Sequence, residues 1–139
     1  MTVAYTTDDA KTGWLKIKIL GNATAAGPVG YVANPEGVLV HIYDALLYIK
    51  TGSTAASTYN IGVGATATAD YSDMVSALAV NATDGTVWKV IGTDLASEGA
   101  ATTPKGLLWP AASYITVTSA AAASTGLEAY LFVRYLRLA

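Results

Sequence analysis

The chain predicts an all-β sandwich, and three observations carry that expectation. Segment 14–20, WLKIKIL, alternates strictly, with Leu15, Ile17 and Ile19 on one side and Lys16 and Lys18 on the other, the signature of a half-buried strand. Further short runs rich in β-branched and aromatic residues recur along the chain. Turn-forming pairs punctuate them at Gly21-Asn22, Gly27-Pro28, Asn34-Pro35, Gly52-Ser53, Asp84-Gly85 and Thr125-Gly126.

Taken in order, 14–20 is the first expected strand. Segment 31–54 admits two readings. As a helix it has Asn34 for a cap, Pro35 in the first turn and Leu39, Ile42, Tyr43, Leu46 and Leu47 on one stripe. As a strand from about Val38 to Lys50 it has Val38, Val40, Ile42 and Ile49, each of which costs a few tenths of a kcal/mol in a helix. The strand reading places a bulge near Asp44, where the inward register changes. Propensity favours the strand without deciding the matter.

TYNIGVGATATA (58–69) puts Tyr59, Ile61, Val63, Ala65 and Ala67 on one face and Asn60, Gly62, Gly64, Thr66 and Thr68 on the other. Small residues on that second face favour close approach of a neighbouring backbone. SDMVSALAV (72–80) is expected to form a short helical turn, with Ser72 as cap and Met74, Val75 and Leu78 on one side. Strands follow at 86–92, 113–119 and 127–138. In the last, Leu127, Leu131, Val133 and Tyr135 share one face, and Glu128, Tyr130, Phe132, Arg134 and Leu136 the other. The expected interior comprises Leu15, Ile17, Ile19, Val63, Val87, Ile115, Val117, Leu131 and Val133. Residues 1–13, polar and turn-prone, read as an N-terminal arm, and 14–139 as a single domain.

Composition narrows the function. The chain has 139 residues, a net charge of −2, 13% charged residues and no cysteine. Thiol nucleophiles, disulfides and thiolate metal sites are therefore excluded. There is no basic excess to follow a phosphate backbone, so nucleic acid is not an expected partner. No apolar run reaches the ~18–20 residues that cross a membrane as a helix, and the first residues do not read as a signal peptide. Apolar residues make up 53% of the chain, which points to burial against copies of itself or another protein, with simple core enrichment by many alanines as the alternative.

No catalytic constellation is legible. His41 is the only histidine, and no Gly-x-Ser-x-Gly elbow accompanies it. On a strand between Val40 and Ile42 it reads as a structural or interface residue. Asp70, Asp73, Asp84 and Asp94 lack EF-hand spacing; Asp70 and Asp73 read first as a helix-start pair and Asp84 as a turn residue, with a surface calcium site as the alternative. IGVGATA lacks the Lys-Ser/Thr ending of a phosphate loop. Trp14, Trp88 and Trp109 are read as packing residues ahead of a sugar-stacking platform. No cofactor and no metal are expected, and the chain does not read as an enzyme.

VANPEGV (32–38), TGSTAASTYNIGVGATATADYSDMVSALAV (51–80) and YITVTSAAAASTGLEAYLFVRYL (114–136) resemble the small jelly-roll capsid-decoration (cement) proteins of bacteriophages. The resemblance rests on turn and strand grammar over most of the chain beyond residue 30, and Gly62-Val63-Gly64 and the 93–110 segment depart from it. It implies a jelly roll of about eight antiparallel strands, with 38–50 as a strand. It also implies a virion protein on the outer capsid surface, partnered by the major capsid protein. Trp14, Leu20, Tyr130, Phe132 and Leu136 lie opposite the core face and are the expected oligomer or capsid interface. Cyclic closure satisfies such a patch in every copy, and the resemblance favours threefold placement, so a homotrimer is expected. The alternative function is a jelly-roll module binding carbohydrate or a receptor from a phage fibre or spike, which would need an exposed aromatic beside polar groups.

Overall fold

The computed structural model describes residues 12–91, 107–120 and 122–138. Nine strands follow one another: β1 (Thr12–Leu20), β2 (Gly27–Ala33), β3 (Val40–Thr51), β4 (Thr58–Gly64), β5 (Val75–Ala79), β6 (Val87–Lys89), β7 (Leu107–Trp109), β8 (Tyr114–Ser119) and β9 (Glu128–Arg137). Sheet A runs β1-β9-β3, with β6 and β7 both on the far edge of β3; sheet B runs β2-β8-β4-β5. All pairs are antiparallel. β7 pairs with Val40–Ile42 and β6 with Leu46–Tyr48, so nine segments fill eight strand positions. The chain crosses between sheets so that its first and last strands lie side by side in sheet A, the strand order of a jelly roll.

Segment 40–51 is a strand, as the β-branched residues favoured. Its apolar residues alternate inward: Val40, Ile42, Ala45, Leu47 and Ile49 are buried. The change of parity between Ile42 and Ala45 is a bulge. Ile42 faces Tyr135 and Asp44 faces Arg134, leaving Tyr43 as the extra residue. β9 contributes Ala129, Leu131, Val133 and Tyr135 to the same core, and β8 and β4 meet them with Ile115, Val117, Tyr59 and Ile61. Ile19 is buried, while Leu15, Ile17 and Val63 pack at the core's margin.

Three expectations are corrected. The helical turn at 72–80 is replaced by β5. Asp73 takes the Val63 amide and the Met74 amide donates to the Ile61 carbonyl at 3.1 Å, which lays the segment along β4. Ala77 adopts a left-handed conformation (φ 52°), so the parity break that suggested a helical stripe is an irregularity in a strand. Val87 is 54% exposed: it pairs with Tyr48 on the outer face of an edge strand, where two-residue alternation cannot tell which side is in. The strand at 27–33 was hidden by Gly27-Pro28, which read as a turn. It is an edge strand with an irregularity between Pro28 and Gly30, where a missing N–H is tolerated. The expected arm lies outside the described residues up to position 11, and β1 begins at Thr12.

The Asn34-Pro35 turn is held by one side chain. Asn34 Nδ2 donates to the carbonyls of Val38, Trp109 and Pro110, and its Oδ1 accepts from the Glu36 amide. The turn thus anchors the entry to β3 against the end of β7.

Candidate functional site

The two outward faces of the sandwich differ. Over sheet B, the chain covers itself. Asp70 accepts hydrogen bonds from Thr118 Oγ1 at 2.7 Å and Asn60 Nδ2 at 3.1 Å, and Asp73 accepts from the Val63 amide at 2.8 Å. Tyr71 lies directly against Gly62 and Gly64, where any Cβ would collide with it. The small-residue face of β4 therefore receives a neighbouring backbone, as its composition suggested, and that neighbour is the chain's own loop.

Among the described residues, no segment covers sheet A in this way. Strand register lines its outer face into rows across β1, β9 and β3: Trp14–Arg134–Asp44, Lys16–Phe132–Leu46 and Lys18–Tyr130–Tyr48. β6 extends two of these rows, with Lys89 beside Leu46 and Val87 beside Tyr48. Trp14 is 61% and Leu20 59% exposed, and Leu46 and Leu108 are exposed as well. Tyr130, Phe132 and Leu136 are half-buried by their neighbours on this face. The structure thus brings four of the five expected interface residues onto the rows or margins of one sheet face, with Leu20 at its β1 corner.

Charges and rings interleave there. The Arg134 guanidinium sits 4.1 Å from the Trp14 ring centroid, and Lys16 Nζ lies 4.7 Å from that of Tyr130 and 5.8 Å from that of Phe132. Tyr48 and Tyr130 stack with centroids 6.5 Å apart. Glu128 Oε1 accepts from Tyr130 at 2.9 Å and from Lys50 at 3.3 Å, with Lys18 at 3.7 Å. The tyrosine hydrogen bond and then Lys50 hold the Glu128 carboxyl below its usual range, and Glu128 in turn raises Lys50. Trp14, Asp44, Leu46, Phe132 and Arg134 line a shallow hollow of about 160 Å³. A second apolar hollow of about 100 Å³ opens between the β1 and β2 edges, lined by Ile17, Leu20, Val29, Tyr31 and Val32 among others.

The remaining candidates are dispersed. Trp109 is fully buried and donates through Nε1 to the Ser113 carbonyl at 3.2 Å, so the three tryptophans form no common platform. His41 faces Leu108 and Leu136 across the strands. Asp84 accepts from the Gly52 amide at 2.9 Å, away from Asp70 and Asp73. Asp94 lies outside the described residues. Among the described residues no group of three or more His, Asp or Glu is placed to hold a metal ion, and no helix is long and apolar enough to cross a membrane. The outer face of sheet A is broad, with exposed rings and aliphatics beside long cationic side chains.

No protein-family model matches the chain, and no curated protein matches it in sequence. Its fold is similar to that of a chain in a solved structure described as the capsid of Ralstonia phage GP4. The match has a TM-score of 0.57 and 15% sequence identity, and covers 99% of this chain and 92% of that one. At this identity the likeness concerns the fold.

Proposed function

We propose that the chain is a structural protein of a phage virion, a capsid-decoration protein that binds the outer surface of the shell and stabilises it. The observation that carries this is the outer face of sheet A, which no described segment covers, on a sandwich whose fold is similar across nearly its full length to a chain from a phage capsid. Binding by a broad face needs exposed rings and aliphatics with long cationic side chains among them, and Trp14, Leu46, Lys16 and Arg134 supply these. We further propose assembly as a homotrimer. The hollow between β1 and β2, flanked by exposed Leu20 and Tyr31, offers an apolar contact at the edge of the sandwich, where a rotation can close three copies into a ring. Contact between copies there would also cover two sheet edges that are otherwise open to mispairing.

Heat resistance of particles with and without the protein tests the capsid role: stripped particles should lose their contents at lower temperature, and equal robustness would contradict stabilisation. Sedimentation equilibrium tests assembly, since a monomer at micromolar concentration contradicts the trimer.

A second reading has one observation in its favour. Trp14 beside Asp44 and Arg134 is an exposed aromatic with polar neighbours, the arrangement a carbohydrate-binding module of a fibre or spike would use. Against it, Arg134 already occupies a face of the Trp14 ring. A glycan array with wild type and Trp14→Ala decides: retention of a glycan that depends on Trp14 supports this second reading.

A further inference from the structure

We infer that the outer face of sheet A docks onto a carboxylate-rich surface of a different protein, which within the capsid reading above, on which this inference rests, is the shell. Every described lysine and arginine belongs to a strand of sheet A. Lys16, Lys18, Lys50, Lys89 and Arg134 are all exposed on or beside its outer rows, and the acidic residues in the strands of sheet A are Asp44 and Glu128, an excess of three positive charges among these strand residues on a chain whose net charge is −2. The strands of sheet B hold no charged residue at all, and its covering loop adds Asp70 and Asp73. The described residues are therefore polarised through the thickness of the sandwich, basic on the outer face of sheet A and acidic over sheet B.

That polarity selects the occupant. A second copy meeting this face symmetrically would set the five cations against the same five, and like charges facing each other oppose association. A second copy meeting it with sheet B would match charge. However, those faces point in opposite directions, so the contact repeats by stacking and never closes. A phosphate backbone fits poorly, because Glu128 and Asp44 sit within the cationic rows and much of the face is Trp14, Leu46, Phe132 and Tyr130. Another protein whose surface offers carboxylates around an apolar centre satisfies both the charges and the rings. Glu128 pairs with Lys50 at 3.3 Å and Lys18 at 3.7 Å, whereas Lys16 and Arg134 are held over rings.

The test is rebinding to particles stripped of the protein, using wild type, the double variant Lys16→Glu/Lys89→Glu, the single variant Arg134→Glu, and Ser76→Glu/Ala79→Glu on exposed positions of β5 as a control. All are first checked for native melting. Wild-type affinity should fall steeply as salt rises from about 50 mM to about 500 mM. The sheet A variants should bind at least about tenfold more weakly, with the β5 control unchanged. Wild type that binds no particle contradicts the capsid reading and this inference together. Binding that survives the sheet A reversals, or that is lost in the β5 control, overturns the docking face and leaves the capsid reading standing. Duplex DNA retained by wild type and lost in Lys16→Glu/Lys89→Glu, with particle binding intact, would make the face a nucleic-acid surface and overturn the inference.

Discussion

The Asp73 carboxylate accepts the Val63 amide at 2.8 Å, and through this bond the 65–74 loop is folded down over sheet B. The bond holds the chain's own loop over β4 and β8, whereas no described segment lies over the outer face of sheet A. Asp73→Ala removes the acceptor and leaves the Val63 N–H dependent on water. A loss of about 1–2 kcal/mol is expected in chemical denaturation, with the melt remaining cooperative.

At Gly62 the loop lies so close to β4 that an added Cβ would collide with Tyr71 and Asp73. Gly62→Val places two methyl groups where Tyr71 and Asp73 lie, so the loop must lift or the strand shift. An expected cost of about 1–3 kcal/mol, with faster amide exchange at Val63, checks the contact.

Ala77 carries a backbone conformation that β-branched residues rarely adopt, with its amide donating to Asn60 Oδ1 at 2.8 Å. Ala77→Val should cost about 1–2 kcal/mol, whereas Ala77→Asn should be tolerated, because Asn enters the left-handed region readily. Equal stability of the two variants in thermal melts would count against this geometry.

Tyr135 donates to Glu36 at 2.7 Å, joining β9 to the turn that precedes β3. Burial, then the carboxylate beside it, pushes its hydroxyl up to about 12. Since the folded value lies above the ordinary one near 10, the stabilisation is complete below pH 10 and is lost as pH rises from there through about 12. Unfolding midpoints measured across that window should decline in wild type, and less steeply in Tyr135→Phe. Glu128 gives the opposite sign. Its folded value lies below the ordinary one, so its contribution is present near neutrality and fades as the pH falls through the folded value. Glu128→Gln should blunt that acid-side loss.

Much of the sandwich was legible because long strands with one buried face write a two-residue period. β1 and β9 are clear cases, and the bulge in β3 was visible as a change of parity near Asp44. What was hidden has a physical cause in each instance. β2 is an edge strand that begins with Gly-Pro, so local chemistry reads as a turn. β5 is irregular at Ala77, and a strand with a parity break mimics a helical stripe over a few residues. Val87 lies on a three-residue strand, too short for alternation to fix its inward side. The outer-face residues Trp14, Tyr130, Phe132 and Leu136 could be picked out by their parity against the core. The grouping of Lys16, Lys18, Lys50 and Lys89 could not, because it depends on β1 and β6 flanking the β9-β3 pair from opposite sides.

The most direct measurement is an electron-microscopy reconstruction of virions made with and without the protein. The account predicts sandwich-shaped density in threes on the outside of the shell, present only with the protein, with Lys16, Lys89 and Arg134 turned toward acidic shell residues. A shell unchanged by removal of the protein, with the missing density at a fibre or spike instead, would contradict it.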